Sequence, residues 1–276
     1  MKPVRILQLL TLILLFSILT LLTQIGGIVY VFSILTHKLT DKLTNKILSK
    51  LCFRFASFFL IYCFATFIIV PRVAKYFGRV PLPMIQTNNI QPLNSLTFFL
   101  NRNYVKPELM QAAFSVAKQM NKKFPGTTLN YLDANFPFWD KFPLFPHLSH
   151  SDGKKLDFSF CYRDARTKEE TNRCPSFIGY GICEEPLPNE SNTTEYCKDN
   201  WQYSLMSKIM PQGNKKNYLL DRDKTKELVQ LFADESNIRT IFIEPHLKVR
   251  LKLRSDKIRF HGCQAVRHDD HFHIQI

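Results

Sequence analysis

Two almost continuously apolar runs, residues 6–36 and 51–71, constrain this chain more than any other feature. Each reaches the roughly 20 residues that a helix needs to cross a bilayer core, where backbone polar groups must be satisfied within the segment itself. The first run is about twice as long as a secretory signal's apolar core and has no small-residue cleavage site, so it reads as an anchor. Thr23, Gln24, Gly26 and Gly27 interrupt it. They mark either tight helix packing or a bend, or polar residues tolerated near one end, and no function is assigned to them.

Between the runs, THKLTDKLTNKILSKL repeats Leu35, Leu39, Leu43, Ile47 and Leu51 every four residues, and Lys38, Lys42, Lys46 and Lys50 with the same spacing. This predicts a basic amphipathic helix at a membrane surface, or equally a solvated extension of the first span. Two spans would put both termini on one side. The positive-inside rule does not choose that side: Lys38, Lys42, Lys46, Lys50 and Arg54 in the connector stand against Lys2, Arg5, Arg72, Lys75 and Arg79 on the flanks. Residues 1–79 therefore read as a membrane anchor, and 80–276 as one folded domain.

Charge follows the same division. The net charge is +14, but residues 1–79 hold ten Lys/Arg and one acidic residue, leaving 27 basic against 22 acidic, or +5, for the rest. Anionic lipid headgroups are the simpler partner for charge beside apolar helices, and no nucleic-acid partner is expected.

Residues 80–105, rich in Pro, Asn and Thr, look like a linker and the entry to the domain. KPELMQAAFSVAKQMNKKFPG follows, with Pro107 at a helix start, an apolar face including Leu109, Ala113 and Phe114, and a Pro-Gly stop. TLNYLDANFPF is strand-like and KFPLFPHLSH is a Pro-broken loop. LDFSF alternates Leu156, Phe158 and Phe160 with Asp157 and Ser159. Residues 161–215 resemble an irregular insertion. Its Cys161, Cys174, Cys183 and Cys197 lack the close spacing of a structural zinc site, so disulfides are predicted in an oxidising compartment. With Cys263 there are five, leaving one unpaired or paired elsewhere. Sequons at Asn189 and Asn192 matter only where secreted proteins are glycosylated. TKELVQLFADES predicts a helix, NIRTIFIEP a buried strand, and HFHIQI a terminal strand with Phe272, Ile274 and Ile276 on one face and His271, His273 and Gln275 on the other.

Six possible metal-binding groups thus fall into two distant clusters, His147, His150 and Asp157 in HLSHSDGKKLD, and His268, His271 and His273 in HDDHFHIQI. Imidazole nitrogen and carboxylate oxygen both suit zinc, which takes three protein ligands in catalytic sites and brings its bound water to a pKa near 7. The remaining groups would serve proton transfer and ligand orientation. Each alone has a plainer reading: a surface or core histidine, a turn aspartate, or a solvated pair at Asp269 and Asp270.

Together these motifs resemble those of the penicillin-insensitive murein endopeptidases, in the wider LAS group of zinc peptidases that includes lysostaphin-type enzymes, D-Ala-D-Ala carboxypeptidases and the hedgehog signalling domain. The resemblance covers about residues 92–276 and leaves the membrane segments and the insertion outside. It implies an α+β fold, with a small antiparallel sheet and flanking helices (a LAS-type metallopeptidase core), which the two apolar runs, read as transmembrane helices, would precede. It also implies Zn2+ held by His150, Asp157 and His273, with His147 and His268 flanking. Asp270 stands where some relatives carry a glutamate base, so the base is His271, Asp270 or His268, with His271 favoured. The implied activity is that of a membrane-anchored zinc metallopeptidase, of murein endopeptidase or D,D-carboxypeptidase type, cleaving amide bonds of peptidoglycan stem peptides or cross-links. The implied location is the bacterial cytoplasmic membrane, with the domain facing the periplasm or exterior. The alternative is a non-catalytic, metal-containing cell-wall or protein-binding module of the same fold.

Overall fold

The computed structural model describes residues 3–44 and 46–276. Lys2 and Asn45, and the side chain of Lys38, which entered the charge count and the amphipathic repeat above, lie outside the described residues.

Among the described residues two helices are long and apolar enough to cross a membrane, Arg5–Thr23 and Ile47–Phe77. The first apolar run is not a single helix. Helix α1 (Pro3–Thr23) stops at a turn and α2 (Gly26–Ile34) begins beyond it. The four interrupting residues make this turn: Gln24 is left-handed at φ 66°, and Thr23 Oγ1 accepts the Gly26 N–H at 2.8 Å. A Cβ on Gly27 would sit 2.1 Å from Thr20 Oγ1 and 2.6 Å from the Phe16 carbonyl, so only glycine lets α2 fold back this closely on α1. The Lys-rich repeat is likewise divided, between α3 (His37–Leu43) and α4 (Ile47–Phe64). α4 continues through a π-turn, Ala65–Ile69, into α5 (Val70–Ala74). Pro71 explains the widened turn, because its ring would clash with the carbonyl four residues back.

The expected linker is folded. Arg79 is buried, its guanidinium donating to the Phe136 carbonyl and paired with Asp140. Strand β1 (Val80–Pro81) follows, then β2 (Ile90–Pro92), the short α6 (Leu96–Phe99) and β3 (Tyr104–Val105), which pairs with β1. The Tyr62 hydroxyl of α4 donates to the Phe99 carbonyl, so anchor and domain interlock.

Helix α7 (Pro107–Lys123) starts at Pro107 as expected, with Glu108 in its first turn and Lys122 and Lys123 in its last, both favourable to the helix dipole. After it come β4 (Leu129–Tyr131) and β5 (Lys155–Ser159). The 161–215 segment is more ordered than its composition suggests. It holds β6 (Tyr162–Asp164), β7 (Glu170–Thr171), α8 (Thr193–Cys197) and α9 (Trp201–Ile209), and its strands form a three-stranded sheet with β8 (Tyr218–Leu220). Cys197 pairs with Cys263, while Cys161, Cys174 and Cys183 are free, so two more thiols stay unpaired than an even pairing of five predicts. The chain closes with α10 (Arg222–Asp234), β9 (Thr240–Phe242), α11 (Pro245–Arg250), β10 (Ile258–Arg259) and β11 (His271–Gln275).

The fold is α+β, as expected. Its main sheet has six strands in the order β10-β9-β11-β5-β4-β2. Its inner four are antiparallel, but β10 pairs with β9, and β2 with β4, in parallel. Parallel neighbours need a long crossover, and α11 and α7 lie on those two connections. One face packs on α7 and α10 through buried Leu109, Val116, Phe158, Phe232, Phe272 and Ile274. The other face of β5 and β11 carries the polar side chains.

Candidate metal centre

The two sequence clusters meet because β11 and β5 are adjacent and antiparallel, with His273 opposite Asp157 and His271 opposite Ser159. Alternation does the rest: Phe158 and Phe272 turn into the core, and Asp157, His271 and His273 share the opposite face. His147 and His150 arrive from the loop, where the His150 N–H closes a turn onto the His147 carbonyl at 2.9 Å. His150 Nδ1 donates to the Ala134 carbonyl at 2.7 Å and leaves Nε2 facing the site.

Around Asp157 the geometry is tight. Its Oδ1 lies 2.9 Å from His273 Nδ1 and 3.2 Å from His150 Nε2, and those two nitrogens are 2.9 Å apart. Its Oδ2 faces His147 Nδ1 and His271 Nε2, each at 3.7 Å. His150, Asp157 and His273 form one buried group with ligand atoms close enough to hold an ion, and His147, Asp157 and His271 form a second. His271 Nε2, which faces Asp157 Oδ2, is buried without a hydrogen-bond partner, a condition that a cation would relieve. The residues therefore fit a divalent metal with nitrogen and oxygen ligands. His268 belongs to neither group. Its ring lies 4.9 Å from that of His271, and its backbone N–H reaches Glu244 at 3.3 Å.

Burial and charge divide the imidazoles. Burial alone would push the Asp157 carboxyl up, but the His150 and His271 rings hold it well below the usual range. Burial lowers His273 to about 4. Burial, reinforced by His271 and His273, drives His268 well down. For His271 burial also works downward but is outweighed by Asp270, bonded to its Nδ1, and by Asp157, so its pKa is raised.

The segment placed outside the resemblance supplies part of the site. Tyr180 donates to Asp157 Oδ2 at 2.9 Å and accepts the Asp133 N–H at 3.0 Å. Gly181 gives its N–H to Asp270. At φ 84°, and with a Cβ that would meet the Met206 carbonyl at 2.6 Å, only glycine fits there. Asp133 holds His147 Nδ1 at 3.0 Å. His261 stacks on Phe242 at 3.9 Å and lines the cleft. Tyr180, Asp133 and His261 were not singled out from sequence; the only signal was an aromatic residue flanked by glycines in FIGYGIC and a histidine at the head of the terminal cluster.

The cleft measures about 210 Å3 and is walled by His147, His150, Asp157, His261, His268 and His273. His271 and Asp270 line a smaller cavity behind it, with Tyr180 and Cys183. The arrangement can hold a cation at the cleft floor with proton-accepting groups beside it. No family model matches the chain, and no curated protein matches it.

Proposed function

We propose that the chain is a membrane-anchored, zinc-dependent amide hydrolase with a LAS-type core, acting on murein stem peptides or their cross-links from the outer face of a bacterial cytoplasmic membrane. The observation that carries this reading is the buried His150–Asp157–His273 group at the floor of an open cleft. The motif resemblance and the oxidised Cys197–Cys263 pair support it.

His150, Asp157 and His273 would hold Zn2+, which when bound supplies a water of lowered pKa and polarises an amide carbonyl. His268, kept neutral by burial and lining the cleft, is suited to take a proton there. His271, biased toward the imidazolium by Asp270 and Asp157, lies with its ring 4.9 Å from that of the cleft-lining His268, and is suited to keep positive charge beside Asp157 and to supply the proton that the leaving amine takes by way of His268. Two groups with pKa values pushed apart divide acid from base work. Asp270, clamped by the Gly181 N–H, orients His271.

The test is the detergent-solubilised full-length chain mixed with murein sacculi and zinc. New free amines or muropeptides that vanish with chelator, and in His150→Ala, are expected. Bound metal without product would instead favour the non-catalytic module.

A further inference from the structure

We infer that Glu244 is a positioning residue for the cleft: its carboxylate clamps the backbone of His268, and proton uptake by that carboxylate opens the clamp, so the ionised form is the one poised for chemistry. The inference rests on the peptidase reading only for the role given to His268.

Glu244 stands between β9 and α11 and is fully buried. Its backbone N–H donates to the His268 carbonyl at 3.0 Å, and its Oε1 accepts the His268 N–H at 3.3 Å. Both backbone groups of His268 are thus held by one residue. The other carboxylate oxygen, Oε2, accepts the Thr193 hydroxyl at 2.7 Å and the Tyr203 hydroxyl at 2.9 Å. Thr193 opens α8 and Tyr203 lies in α9, so this carboxylate joins two helices of the insertion to the wall of the cleft. His268 sets its buried ring on that wall, 4.9 Å from the ring of His271 and 5.8 Å from that of His273. The His268 Nδ1 has no hydrogen-bond partner, so the backbone carries the positioning.

A buried carboxylate is costly to keep charged. Burial, reinforced by Asp269, pushes Glu244 up to about 7. The groups around it account for this. Asp269 is paired with Arg267, whose guanidinium lies 5.9 Å over the Tyr203 ring, and it faces His246 Nε2 at 3.7 Å. Among the described residues Glu244 has no cationic partner of its own. Its Oε2 already accepts two hydroxyl bonds, whereas Oε1 accepts only the longer amide bond, so an incoming proton goes to Oε1. There the new O–H meets the His268 N–H donor to donor, and that half of the clamp is lost. The Glu244 N–H keeps its hold on the His268 carbonyl, so the ring loses its register without the segment coming free. Because the carboxyl pKa is raised, the fold favours the protonated acid: that stability is full below the unfolded value of ~4.3 and is lost as pH rises through about 7. Closing the clamp therefore costs stability, as a group placed for function does.

The experiment follows the His268 backbone amide by NMR in the detergent-solubilised full-length chain labelled with 15N-histidine, a label that only eight residues carry. Loss of the signal in His268→Asn assigns it. In wild type the amide proton should move upfield as pH is lowered, with a midpoint near 7. Glu244→Gln keeps a carbonyl acceptor for the His268 N–H but takes up no proton, so the step should vanish. Thr193→Val removes one donor from the ionised Oε2 and nothing from the cleft, so the midpoint should rise. A wild-type signal without a step, a midpoint unmoved in Thr193→Val, or a step that persists in Glu244→Gln and so belongs to another group such as His271, overturns the inference. With murein sacculi and zinc, the acid limb of the pH–rate profile should likewise disappear in Glu244→Gln. The amide signal needs neither metal nor hydrolysis: the step without product upholds the clamp and removes the peptidase reading, and product without the step does the reverse.

Discussion

Asp157 is bound through both oxygens, Oδ1 to His150 and His273 and Oδ2 to the Tyr180 hydroxyl. The Tyr180 hydroxyl is thus the hydrogen-bond donor that holds the carboxylate's rotation from the Oδ2 side. Partners of this kind change metal affinity by about 10- to 100-fold when removed. Tyr180→Phe is expected to weaken zinc binding by that factor in a chelator-competition titration while leaving the fold intact; unchanged affinity would remove Tyr180 from the site. Farther out, Glu190 accepts from Arg250 Nε at 2.9 Å and its pKa is lowered to about 2, chiefly by that bond. A lowered carboxylate pKa stabilises the fold above the unfolded value of ~4.3, and the contribution is lost as pH falls toward 2. Glu190→Gln should therefore lower the melting temperature at pH 6 and narrow its gap to wild type at pH 3; a gap constant with pH would contradict the pairing.

At the scale of elements, the β5–β11 register decides which side chains meet, and Phe272, fully buried against Phe158 and Phe232, fixes it from the core side. Phe272→Ala is expected to cost about 3–5 kcal/mol in chemical denaturation, the range for a buried aromatic truncated in a core; a cost under about 1 kcal/mol would place Phe272 outside that core. The strand itself was legible because a period of two sorts His271 and His273 from Phe272 and Ile274 within six residues. Tyr180 and Gly181 were not, since their stretch has no periodicity and their meaning arises only from contacts with Asp157 and Asp270 across the fold. The crossovers that make the outer strand pairs parallel were hidden for a similar reason: strands of two or three residues, such as β2 and β10, carry too few alternations to read. The α1–α2 break lies between. Its four polar and small residues were visible, but only the hairpin gives each a contact. Gly27→Leu should separate the helices and lower the anchor's thermal stability in detergent; an unaltered transition would mean that the close approach is dispensable.

For the whole molecule, the N-terminal helices and the domain are joined by buried polar contacts at Asn101, Gln24 and Tyr62 rather than by a tether, so the cleft is held at a set position relative to the two long apolar helices. The insertion closes over the other side through Cys197–Cys263 and the Glu190–Arg250 pair. Everything proposed about chemistry depends on one property of this assembly, that it holds a metal. The most direct measurement is elemental analysis of the purified full-length chain beside Asp157→Asn, His273→Ala and His261→Ala. About one equivalent of zinc is expected in wild type and His261→Ala, and none in the other two, all four sharing the wild-type circular dichroism. A correctly folded wild type that takes up no metal, or an Asp157→Asn chain that keeps it, would contradict the account.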